Sequence, residues 1–224
     1  MRPVLLGMVL LAALPWSGVA QPSSSQMTIA QLQYSGGGDW DANPSGLPNL
    51  LKAIRSRTGL LVSDRPASVK ITDPSLWVHP YLYMTGHGNV KLTDEEVRVL
   101  RRFLESGGFL HVDDNYGMDE SFRRELRRIF PDAELVELPA DHPVYHSFYD
   151  LARGLPKVHE HDGGAPQGLG VFRNGRLVVF YSYQSDLGNG WEDATVHNVA
   201  PAIREEALRM GVNLFVYALA QVTT

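Results

Sequence analysis

Residues 81–117 read YLYMTGHGNVKLTDEEVRVLRRFLESGGFLHVDDNYG, and this stretch decides the fold. It opens on an apolar run, Tyr81 to Thr85, that stops at Gly86-His87-Gly88-Asn89, the pattern of a buried strand entering a tight loop. Thr93-Asp94-Glu95-Glu96 is then a capping box. The Thr93 hydroxyl and the Glu96 carboxylate each satisfy an amide donor that the first helical turn leaves without a partner. Val97, Leu100, Phe103 and Leu104 recur behind it at helical spacing, and Gly107-Gly108 ends the helix. Phe109 to Val112 follows at once as a second strand, with Asp113-Asp114-Asn115-Tyr116-Gly117 expected as the loop beyond it. Two strands joined through a helix by short connections make a βαβ unit, and its strands run parallel.

The flanking sequence extends the same alternation. Met27 to Tyr34 reads as a strand closed by Gly36-Gly37-Gly38, and Leu47, Leu50, Leu51 and Ile54 form one face of a helix stopped by Gly59. Val69 to Thr72 is a short strand. Asp119 is placed to cap a further helix through Phe122, Leu126, Ile129 and Phe130, which stops at Pro131. The order predicts an α/β fold, a doubly wound, mostly parallel sheet with helices on both faces. Leu169 to Tyr183 departs from it as a C-terminal β-hairpin region turned by Asn174-Gly175. Pro139 to Gly168 shows no period, and a loop of that length in a compact domain is usually functional. The apolar run from Val212 to Ala220 is interrupted by Asn213 and reads as a buried C-terminal helix.

Residues 1–20 have the layout of a signal peptide: Arg2, an apolar run from Val4 to Leu14, Pro15, then the small residues Gly18 and Ala20 before the expected cut. The run is about half of the ~20 residues that a membrane span needs, so no span is expected after cleavage. Residues 21–26 form a polar spacer and 27–224 a single domain, expected to be periplasmic or secreted. Twenty Lys and Arg against 25 Asp and Glu give a net charge of −5, which offers no positive field to a nucleic acid. With no cysteine, the chain has no disulfide, thiolate nucleophile or Cys-based zinc site.

In a parallel sheet, ligands bind beyond the carboxyl ends of the strands. That rule selects Asp39 and Trp40 after the first strand, His87 and Asn89 after the third, and Asp113 and Asp114 after the fourth, with His111 just ahead of them. These seven are the candidate ligand-binding or acid/base residues, although His111, inside an apolar strand, also fits a core histidine. Asp39, His87 and Asp113 are expected to face one another. His159-Glu160-His161 is an H-x-H pair whose imidazoles project to one side of an extended chain, a spacing used by zinc sites. Together with His87 it forms the candidate set for a divalent metal, zinc or manganese. No G-x-G-x-x-G, P-loop or G-x-S-x-G sequence occurs, so neither a nucleotide nor a serine nucleophile is indicated.

Several segments together carry a family resemblance: Gly37-Gly38-Asp39-Trp40, Met84-Thr85-Gly86-His87-Gly88, Leu100 to Asp114, Asp141 to His146 and Gly154 to His161. The chain resembles the domain-of-unknown-function family 4159, grouped with class I glutamine amidotransferase-like domains and related to the trehalose-utilisation type. The resemblance implies a flavodoxin-like architecture and brings no known activity. Amidotransferases of this kind place a cysteine at the elbow after a short strand. Here His111 and Asp113 occupy that region, so thiolate hydrolysis of glutamine is excluded.

No residue pattern requires catalysis. The leading expectation is an exported, non-catalytic domain that binds a small polar ligand or an envelope protein at the carboxyl edge of the sheet. One alternative is a metal-assisted hydrolase acting on a carbohydrate or other envelope component, using His87, His111, Asp113 and His161. Another is a structural envelope-assembly module.

Overall fold

A computed structural model describes residues 26–221. The expected signal peptide and residues 21–25 of the expected spacer lie outside them. Seven strands make one sheet: β1 (Ile29–Gln33), β2 (Ala67–Lys70), β3 (Tyr81–His87), β4 (Phe109–Tyr116), β5 (Val136–Glu137), β6 (Gln167–Arg173) and β7 (Arg176–Tyr183). The α-helices are α1 (Gly46–Thr58), α2 (Asp94–Glu105), α3 (Asp119–Ile129), the short α4 (Leu187–Trp191) and α5 (Pro201–Ala220). The strand order is β2-β1-β3-β4-β7-β6-β5. Neighbours from β2 through β7 are parallel, whereas β6 runs antiparallel to β7, and β5 antiparallel to β6. This is a mixed α/β fold on a mostly parallel sheet.

Alternation along the strands builds two apolar layers. In β3, Leu82 and Met84 join the α2 and α3 residues Leu100, Phe103, Phe122 and Leu126 in one core. Tyr81 and Tyr83 join Leu50 and Ile54 of α1 and Leu214 and Phe215 of α5 in the other. Since successive side chains of a strand leave opposite faces, the two cores lie on opposite sides of the sheet. Both faces of the central strands are covered, which explains why β3, β4 and β7 are buried along nearly their whole length, with β4 carrying His111, Asp113, Asp114 and Asn115 among its buried residues.

Local signals take the form expected of them at several points. Thr93 accepts from the Glu96 amide at 3.2 Å and its own amide donates to Glu96 Oε2 at 2.7 Å, a complete capping box. Gly59 closes α1 in the left-handed region, and Asn174 and Gly175 turn the β6–β7 hairpin with φ of 51° and 77°.

Three features differ from expectation. Asp113 to Tyr116 are not a loop but the end of β4, because pairing with β3 continues to the His87–Tyr116 register. Asp119 does not cap α3; it is the first helical residue and accepts from Arg123, while Asp114 Oδ1 takes the Met118 amide at 3.2 Å. The hairpin departs from the parallel order only in part, since β7 pairs parallel to β4 inside the sheet while β6 runs antiparallel to β7.

Candidate functional site

The strand order reverses at β1 and β3, and there Asp39, beyond the carboxyl end of β1, meets His87, the last residue of β3. His87 Nδ1 lies 2.9 Å from Asp39 Oδ2, and the His87 amide donates to Asp39 Oδ1. Burial pushes the Asp39 carboxyl up, but the bonds from the His87 amide and imidazole outweigh it and hold the carboxyl below its ordinary range. Gly86 makes this approach possible. Its φ is 141°, and a Cβ there would stand 2.3 Å from the Tyr34 hydroxyl and 2.8 Å from the Asp39 carbonyl oxygen.

Next along the edge, β4 ends in Tyr116, a half-exposed non-glycine residue at φ 143°. Its ring stacks on His161 at 4.8 Å between centroids, with 23° between the planes. His161 Nε2 lies 3.2 Å from Asp186 Oδ2, and His159 Nδ1 lies 3.5 Å from the same oxygen. These three side chains bring one ligand atom each to within 4.8 Å of one another, a group that could hold a metal ion. Asp186 follows β7, sits in the left-handed region at φ 61°, and is fully buried. Asn189 donates to it from both its amide and its side chain, which fixes the orientation of the carboxylate. Burial, then the charge of Asp113, raises its pKa well above the ordinary range. Burial, then the charges of His159, Lys157 and His87, holds His161 low and favours the neutral imidazole.

Beneath this edge is a second carboxylate. Asp113 is fully buried and accepts from Ser182 Oγ at 2.5 Å, Tyr83 Oη at 3.2 Å and the Leu187 and Gly188 amides at 3.1 and 2.7 Å. It therefore anchors the start of α4, and with it Asp186. Gly188 is needed there, because a Cβ would stand 2.4 Å from Asn43 Nδ2 and 2.9 Å from the Tyr83 hydroxyl.

The structure thus joins Asp39 to His87 but leaves Asp113 bonded in the interior, not facing them. His111 is removed from solvent: its ring packs against Tyr83, Phe180 and Trp191, Nε2 lies 2.9 Å from Ser182 Oγ, and burial brings its pKa down to about 3. Asp114, on the opposite face of β4, holds the turn into α3 through the Tyr116 and Met118 amides. Asn89 ties neighbouring segments, donating to Gly36 O and accepting from Arg124. Trp40 packs on the core under α2 and α3. In the metal group, Asp186 stands where His87 was expected. Asp186 was legible only as a residue beyond a strand end, and only once β7 is known to be parallel to β4. A cavity of about 680 Å³ lies elsewhere, between residues 150–157 and α5, and brings together no comparable histidine and carboxylate group.

Fold and site together define an α/β protein with an imidazole and carboxylate site on the carboxyl edge of its sheet. The chain belongs to the family described as Domain of unknown function (DUF4159), whose model matches residues 28–219. No curated protein matches it.

Proposed function

We propose that this is an exported protein that binds a small polar ligand through a divalent transition metal held by His159, His161 and Asp186. The observation that carries the reading is the convergence of these three side chains. A tetrahedral centre with bonds of about 2.0–2.1 Å has edges of roughly 3.3 Å between its ligand atoms, and two of the edges here are 3.2 and 3.5 Å. Two imidazoles and a carboxylate favour zinc over the all-oxygen sites of harder ions, and three protein ligands leave a position open for a ligand. Export is supported by the composition of residues 1–20. A flavodoxin-like, doubly wound arrangement of the amidotransferase-like type is supported by the parallel order β2-β1-β3-β4-β7 and by apolar cores on both faces.

The test is calorimetric titration of metal-stripped protein with zinc and with manganese. One zinc per chain is expected. His161→Ala and Asp186→Asn should each weaken it by at least the roughly 10- to 100-fold that loss of a ligand's outer-shell partner costs. Absence of stoichiometric binding, or unchanged affinity in both variants, would overturn the reading.

A further inference from the structure

We propose that Tyr116 is the specificity-determining residue of the metal site and selects ligands whose metal-binding group is carried on an aromatic ring. The inference rests on the metal reading above and adds a ligand class to it.

The backbone of Tyr116 is strained. Its φ of 143° lies in a region that glycine adopts freely and that a residue with a Cβ enters only at a cost. The other non-glycine residues of positive φ among the described residues, Asn43, Asn174, Gln184, Asp186 and Asn198, lie between 51° and 61°. Four of those five are Asn or Asp, whose short polar side chains suit the left-handed region. Strain such as that of Tyr116 persists only where the surroundings impose it. Here its amide donates to Asp114 Oδ1 at 3.2 Å, its carbonyl accepts from the Gly88 amide at 3.4 Å, and the residue is held in register with His87 of β3. Burial of the side chain gives little in return, since Tyr116 is 52% exposed. Core packing therefore supplies no reason for a tyrosine at a position that glycine would fill without strain.

What the strain secures is the placement of the ring. It lies on the His161 imidazole with 4.8 Å between centroids and 23° between planes, and His161 directs Nε2 at Asp186 Oδ2 within the metal group. A metal held at that nitrogen is about 3 Å from the centre of the imidazole, so it lies within about 8 Å of the tyrosine centroid. Aromatic pairs attract, offset or edge to face, with centroids roughly 4.5–7 Å apart. A ring carried directly on the metal-binding group of a ligand is long enough to come within that range of the half-exposed Tyr116. An aliphatic ring of the same size would cover the same area, but the quadrupole attraction between two aromatic rings would be missing.

Zinc-loaded protein would be titrated with benzohydroxamate and with cyclohexanecarbohydroxamate, which present one metal-binding group on an aromatic and on an aliphatic ring. The ratio of the two affinities should be roughly 2- to 10-fold larger in wild type than in Tyr116→Gly, the worth of one aromatic pair. Tyr116→Phe should keep the wild-type ratio. Tyr116→Ala keeps the strain that Tyr116→Gly relieves, so the glycine variant should melt higher than the alanine one, by on the order of 2–8 °C. Equal ratios in wild type and Tyr116→Gly, loss of the ratio in Tyr116→Phe, no binding of either hydroxamate, or an alanine variant that melts at or above the glycine one would each overturn the proposal. Failure of wild type to take up zinc, read before any hydroxamate is added, would instead overturn the metal reading and this inference with it.

Discussion

Replacing Asn213 by alanine should cost about 3–5 kcal/mol, an unusually large loss for a polar residue. Asn213 is fully buried in α5, where its amide uses its whole bonding capacity on the irregular segment before β6. Oδ1 accepts from the Phe148 and Tyr149 amides at 3.1 and 2.7 Å, and Nδ2 donates to Tyr145 O and Tyr149 O at 2.8 and 2.9 Å. Four bonds at about 1 kcal/mol net give roughly 4 kcal/mol. Penalties for backbone groups left dry push the loss up, and entry of water pulls it down. Urea unfolding of the protein reads the effect. With a slope of about 2 kcal/mol per molar, the midpoint should fall by roughly 2 M with the slope unchanged. Asn213→Asp, which turns a carboxylate oxygen toward two carbonyls, should be at least as damaging. A loss below about 1 kcal/mol in Asn213→Ala would refute the reasoning, because it would mean that these bonds do not hold the segment to α5.

Thr93→Ala should remove the acceptor for the Glu96 amide and cost about 1 kcal/mol, seen as a lower melting temperature with zinc affinity unchanged; an unaltered melting curve would count against the cap. His111 is held neutral by burial, with its pKa brought down to about 3, while the unfolded chain protonates near 6.5. Its contribution is therefore complete above the unfolded value and is lost as pH falls toward the folded one, at about 1.4 kcal/mol per unit. Wild type should lose about 2 kcal/mol relative to His111→Gln between pH 7 and pH 5, and parallel pH profiles for the two proteins would contradict this.

The sequence by itself determined what is encoded within a strand, a helix or a turn. The capping box at Thr93, the stripe from Val97 to Leu104, the Gly59 stop and the Asn174-Gly175 turn each depend on neighbours a few residues away, and each is present. The loop holding Asp39 and the strand end at His87 could be selected for the same reason, since strand ends are visible in the pattern. Asp113 and Asp114 show where that reasoning stops. Extending β4 by a few residues sends adjacent carboxylates to opposite faces, one under α4 and the other to the start of α3.

Only the tertiary structure decided that β7 lies beside β4, and this pairing carries Asp186 to the edge where His159 and His161 arrive from a segment without periodicity. The early part of that segment, Tyr145 to Tyr149, is tied down by Asn213, 64 to 68 residues further along the chain, a residue that in sequence merely interrupts an apolar run. Periods of 2 and 3.6 residues record which face of an element is buried. They hold no record of which distant strand or side chain will cover it, because that choice is made by packing the whole sheet between its two apolar layers.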